Sequence, residues 1–195
     1  MKEGVDRIAL LGTSADPPTS GHEALLKGLL RIFPKVVTWA SNNPMKTHGA
    51  SLQTRYTLLS ALVKEINNPN LLLMQEISSP LTITTLERAK KYWPKTELFF
   101  VVGSDLAAHI PNWSQPKEFL RKARLAIAPR TGWPISQSQL EALHALGGEV
   151  EILPLKIPAT ASSQIRNNPS TSHIPASILP ILIELNLYGL NKHHS

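Results

Sequence analysis

The chain has 195 residues, 42% apolar and 17% charged, which is enough for a domain with its own core and excludes a disordered chain. Cysteine is absent, so a disulfide framework and thiolate chemistry are excluded, as suits a reducing cytoplasm. Twenty Lys and Arg against 14 Asp and Glu leave a net charge of +6, which favours anionic partners such as nucleotides or phosphorylated metabolites.

The basic residues form no arginine-rich tail, and no uncharged apolar run reaches membrane-spanning length. The expectation is a cytoplasmic protein with no nucleic-acid or membrane partner; association into a homo-oligomer is left open. Residues 7–11 (RIALL) read as a short strand. Residues 19–33 follow as a helix, with Leu25, Leu26, Leu29, Leu30 and Phe33 at helical spacing. KVVTWA (35–40) is β-branched and aromatic, a strand. Residues 51–66 form an amphipathic helix, 71–76 a strand and 82–93 a helix ending before Pro94. TELFFVVG (96–103) is the most apolar strand. A short helix (116–123), a strand (124–130), a helix closed by Gly147-Gly148 (136–147) and a last strand (149–155) complete the alternation.

Strands alternating with helices imply βαβ units, and near-continuous apolar strands imply a sheet covered on both faces. The expected fold is therefore α/β, a Rossmann-like, doubly wound parallel sheet with helices on both faces. It occupies residues 1–195 as a single domain whose helical carboxyl-terminal segment begins at about 163. In such sheets ligands bind beyond the carboxyl ends of the strands. The unusual local sequences fall at that edge: residues 12–22, 41–48, 77–85, 103–113, 129–133 and 156–166.

Several familiar motifs are missing, among them GxxxxGK[ST], GxGxxG after the first strand, GxSxG and HExxH. What remains is GTSADPPTSGH (12–22), where a strand hands over to a helix. A helix start offers free backbone N–H groups to an anion; Gly12 and Gly21 permit close approach, and His22 falls in the first turn as a donor. Read alone, this is also the pattern of a plain helix cap with an exposed histidine. A second such place is TASSQIRNN (160–168), where Ser162 and Ser163 begin a helix and Arg166 lies three residues on, on the same face. Two donor-rich sites at strand carboxyl ends, with no thiol or activated serine, suggest phosphoryl or nucleotidyl transfer, where catalysis is mostly positioning and charge stabilisation.

GTSADPPTSGH resembles the GxFDPxHxGH signature of the HxGH-type nucleotidyltransferases, and TASSQIR resembles their ISSTxxR motif. SNNPMKTHGASLQTRYTLL (41–59) is similar to a P-x-K…S…R-x-x-L segment, and FFVVGSDLAAHIPNW (99–113) to F-I-I-G-x-D…W. LAIAPRTG (125–132) resembles a strand followed by R-P-G, and IPASILPILIELNLYGL (174–190) a terminal helix ending in L-Y. The set, in this order, resembles that of the bacterial nicotinate-nucleotide adenylyltransferases. The resemblance implies transfer of AMP from ATP to nicotinate mononucleotide, with release of pyrophosphate, in NAD biosynthesis. It implies His22, Thr19, Lys46 and Arg166 as catalytic groups. It implies an ATP site at Gly12, Thr13, Ser14, Gly21, His22, Gly103, Asp105, Ile157, Ser162, Ser163 and Arg166. It places the mononucleotide at Ser14, Lys46, Thr84, Thr85, Trp113 and Arg130, with Trp113 stacking on the pyridine ring. Magnesium is expected with ATP, without protein ligands of its own.

Three positions depart from the family pattern. Ala15 stands where a phenylalanine precedes Asp-Pro, Thr19 where HxGH has its first histidine, and Thr84 in TITTL where an aspartate is usual. Thr19 gives the T-x-G-H of the related phosphopantetheine adenylyltransferases, so that activity is an alternative. A catalytically inactive nucleotide-binding regulator is another.

Overall fold

The computed structural model describes residues 6–43, 46–158, 160 and 162–190; Pro44 of the P-x-K segment lies outside them. The chain runs β1 (Arg7–Thr13), α1 (Ser20–Ile32), β2 (Lys35–Ala40), α2 (Leu52–Ile66), β3 (Leu71–Leu73), α3 (Thr82–Tyr92) and β4 (Glu97–Gly103). It continues through α4 (Ser104–Ala107), α5 (Pro116–Lys122), β5 (Arg124–Ala128), α6 (Gln137–Ala145), β6 (Val150–Ile152), α7 (Ser162–Asn167) and α8 (Leu179–Glu184). The strands form one sheet in the order β3-β2-β1-β4-β5-β6, and every pairing is parallel. This is the expected doubly wound α/β sheet. The order reverses between β1 and β4, which opens a crevice at their carboxyl ends.

Side chains alternate between two cores, as the period of two along a strand requires. Ala9 and Leu11 of β1 join Leu26, Leu29, Phe33 and Leu59 under α1 and α2. Ile8 and Leu10 join Val37, Trp39, Phe100, Leu86 and Phe119 under α3 and α5. Both faces are buried, which explains why the central strands read as continuous apolar runs.

The strand ends differ from the expected bounds for local reasons. β3 stops at Leu73 because Gln75 takes over the pairing: its side-chain amide accepts from Ala40 N–H at 3.0 Å and donates to Ala40 C=O at 2.8 Å. A 3-10 turn, Gln75–Ile77, follows. β5 ends before Pro129 and β6 before Pro154, residues that cannot donate to a ladder.

Candidate active site

At the end of β1, Gly12 pairs in register with Trp39 of β2, and the indole lies across it. A Cβ on Gly12 would sit 2.8–2.9 Å from the ring atoms Cε2, Cζ2 and Nε1. The glycine is thus required by the packing of Trp39, which is 2% exposed. Gly21, at the start of α1, is also closely packed: a Cβ there would lie 2.6 Å from Thr160 Oγ1 and 3.1 Å from Thr160 C=O. The close approach it permits is to the segment that leads into α7.

His22 and Thr19 form the head of α1. The Thr19 backbone N–H donates to His22 Nδ1 at 3.1 Å, and a backbone N–H can only donate. Nδ1 is therefore the ring's acceptor, so the neutral imidazole carries its proton on Nε2. Burial pushes the His22 pKa down from its usual 6.5 to about 4, helped by the positive charges of Arg130 and Lys46. Thr19 itself is fully buried; its hydroxyl lies 2.9 Å from Nδ1 and donates to Thr160 C=O at 3.0 Å. Thr19 stands behind His22, outside the lining of the groove. His22 is only partly accessible, wired to Thr19 rather than free at an exposed cap.

Residues 46–50 form a strap held from two sides, with Lys46, Thr47 and His48 lining the groove. Arg55 of α2 is 1% exposed. Its guanidinium donates to the carbonyls of Ala50 (3.2 Å), Ser14 (2.7 Å) and Ser41 (2.7 Å) and to Asn42 Oδ1 (3.2 Å). Asp16, also 1% exposed, accepts from Gly49 N–H at 2.7 Å and Ala50 N–H at 3.1 Å. Lys46 remains exposed at the groove. His48 Nδ1 lies 3.7 Å from the Asp16 carboxylate, and its Nε2 is buried without a hydrogen-bond partner.

From the far end of the chain, α7 brings Arg166 against the same loop. Arg166 Nη1 donates to Asp16 C=O at 2.6 Å and lies 3.6 Å from its carboxylate. Ser162 donates to Pro17 C=O at 2.8 Å, so its hydroxyl ties α7 to the β1–α1 loop at the groove. Ser163 is exposed at the groove. With six residues, α7 has a short row of aligned peptides, and its polar contribution comes chiefly from these side chains.

The opposite wall is built from α3, α4 and the loops after β4 and β5. Trp113 meets Phe100 edge-on at 6.3 Å and Phe119 at 5.7 Å, which fixes its plane at the groove. Arg130 reaches Asp105 at 2.7 Å, so the carboxylate expected to meet a ribose is held by a guanidinium. Thr85 is 1% exposed and lines the groove together with Thr82, one face of α3. Thr84, between them in the helical register, is not part of the groove's lining. The signal for Thr82 lay in the same spacing.

One groove of about 810 Å³ collects these elements. It brings together Gly12, Thr13, Ser14, Gly21, His22, Lys46, Gly103, Asp105, Thr85, Trp113, Arg130, Ile157, Ser162, Ser163 and Arg166; of the expected residues only Thr19 and Thr84 lie outside its lining. Asp16, Trp39 and His48 line the groove as well, without an expected role. Asp16 stands inside the quoted Asp-Pro motif, whereas Trp39 read only as a strand residue.

Comparison with known proteins bears on what such a groove serves. The cytidylyltransferase-like family model matches residues 10–176. A Synechocystis protein named "Probable nicotinate-nucleotide adenylyltransferase" is 36% identical over 157 residues, covering 75% of this chain and 78% of that one. The chain belongs to the nicotinate-nucleotide adenylyltransferases of the cytidylyltransferase-like family. A Chlorobaculum tepidum relative of the same name is 30% identical over 201 residues, 94% of this chain and 99% of that protein. The solved structure of Plasmodium falciparum nicotinic acid mononucleotide adenylyltransferase complexed with NaAD superimposes with a TM-score of 0.77. It covers 96% of this chain and 100% of that one at 19% identity, a likeness of fold. In this member of the adenylyltransferase family, no group of three or more His, Asp or Glu side chains among the described residues is arranged to hold a metal ion. No helix among them is long and apolar enough to cross a membrane.

Proposed function

We propose that the chain transfers the adenylyl group of ATP to nicotinate mononucleotide, giving the dinucleotide and pyrophosphate in NAD biosynthesis, and works as a single nucleotidyltransferase domain. The observation that carries the reading is the convergence of His22, from the first strand–helix turn, and Arg166, from the last helical segment, on one groove that also holds Trp113. Family membership supports the same reaction.

The mononucleotide's phosphate is already anionic, so its oxygen attacks the α-phosphorus without a general base, and the bond to the bridging oxygen of pyrophosphate breaks. His22 donates from Nε2 to the phosphates, with Thr19 fixing its tautomer from behind. Lys46 and Arg166 offset charge on the α-phosphate and the leaving pyrophosphate. Gly12, Thr13, Ser14 and Gly21 supply backbone and space at the polyphosphate. Asp105 and Gly103 receive the adenosine ribose once Arg130 releases the carboxylate, and Ile157 and Ser163 face adenine and the triphosphate. Trp113 stacks on the pyridine ring, with Thr85 at its carboxylate and Ser14, Lys46 and Arg130 toward the mononucleotide phosphate. Magnesium would come with ATP, carried by its phosphates, and would neutralise charge there; among the described residues no group of His, Asp or Glu side chains is arranged to hold it.

Thr19 gave the likeness to phosphopantetheine enzymes, but it does not face the groove, so it says nothing about the acceptor. Pyrophosphate release, measured with ATP and each acceptor in turn, tests the proposal. Turnover is expected with nicotinate mononucleotide and none with phosphopantetheine. ATP binding without pyrophosphate from any acceptor would contradict it and favour a regulator.

A further inference from the structure

Tyr188, the tyrosine of the carboxyl-terminal L-Y motif, has no part in the roles assigned above. It follows α8 with φ +56°, a left-handed conformation that is strained for an aromatic residue and persists only where its surroundings hold it. What holds it lies 172 residues away: its hydroxyl donates to Asp16 Oδ1 at 2.6 Å. Its ring fills the space over Gly49, where a Cβ would sit 2.8 Å from a ring carbon. Burial, and then the bond to Asp16, push the phenol's pKa well above its usual range, so the hydroxyl stays a donor at any working pH.

Asp16 is the point where this matters. Its buried carboxylate has three close donors, the N–H groups of Gly49 and Ala50 and the Tyr188 hydroxyl. Two side chains stand just beyond hydrogen-bond distance: His48 at 3.7 Å and Arg166 at 3.6 Å. Arg166 Nη1 donates to the Asp16 C=O, and the same side chain lines the groove. A buried carboxylate that loses a donor takes the nearest one it can reach, and here that is the Arg166 guanidinium.

We propose that Tyr188 is a positioning residue for polyphosphate binding: by satisfying the Asp16 carboxylate it keeps the Arg166 guanidinium off that carboxylate and available to the phosphates. The inference rests on reading the groove as an ATP site and makes the carboxyl-terminal segment part of it.

The test is a double-variant cycle on the full chain, with ATP affinity measured by titration calorimetry. Tyr188→Phe keeps the ring over Gly49 and removes one hydroxyl; it is expected to weaken ATP about fivefold, the value of one hydrogen bond, while the KM for nicotinate mononucleotide stays within about twofold. In an Arg166→Ala background the same change is expected to cost less than about twofold, because its route to ATP is gone. A merely structural tyrosine would give equal losses in both backgrounds. Unchanged ATP affinity in Tyr188→Phe, equal losses in both backgrounds, equal effects on the two substrates, or a variant that does not fold would each overturn the inference. A wild-type protein that binds no ATP would instead bring down the reading of the site itself.

Discussion

His22 is held neutral by its place at the head of α1. The folded pKa of about 4 lies below the unfolded 6.5, so between these values the unfolded chain binds a proton that the folded chain refuses. Stability is then full above about pH 6.5, falls as the pH drops toward 4, and loses at most about 3 kcal/mol over that window. His22→Gln is expected to flatten this acid limb in urea midpoints measured from pH 7 to 4; an unchanged slope would assign it to other groups. In catalysis the neutral ring still donates from Nε2. His22→Ala is expected to lower kcat/KM by about a hundredfold or more with the far-ultraviolet spectrum unchanged. Full activity would remove His22 from the mechanism. The sequence showed this histidine through its position in the first turn of a helix, three residues after the Thr19 N-cap. It did not show that Thr19 turns inward to meet Nδ1 and Thr160, because that contact joins segments 141 residues apart.

At the scale of elements, the β1–β2 pair carries a packing constraint that reads in the sequence as a phosphate-loop glycine. Gly12 gives way to the Trp39 indole, and that ring is too buried to move aside. Gly12→Ala is expected to destabilise the chain by about 1–3 kcal/mol, the usual result of overpacking, as read from the denaturant midpoint. Trp39→Phe in the same chain is expected to recover part of the loss. A Gly12→Ala protein as stable as the wild type would show that the ring can shift. The long elements were legible because apolar residues at 3.6 spacing over α1, α2 and α3 leave one interpretation. The four-residue α4 and the 3-10 turns were not, since so few residues show no period. β3 looked longer than it is because the Gln75 amide imitates a strand partner for Ala40. Thr82 was not singled out for a related reason: in a threonine run, only the register of the folded α3 shows that Thr82 and Thr85 share the groove face.

For the whole molecule, the sheet order puts β1 at the switch point, so that its carboxyl end faces both halves of the chain. The first half contributes His22, the strap and Asp16; the second contributes Asp105, Trp113, Arg130 and Arg166. That two donor-rich turns should meet was legible from their common place at strand ends. The means was not, because Asp16 joins the loop after β1, the strap and the carboxyl-terminal segment through side-chain contacts with no local pattern. The most direct measurement is a crystal structure of the chain with a non-hydrolysable ATP analogue. The account predicts phosphate oxygens within hydrogen-bond distance of both His22 Nε2 and the Arg166 guanidinium, with the ribose on Asp105 and Arg130 displaced from it. A polyphosphate seated away from His22, or one that leaves Arg166 on Asp16 alone, would contradict it.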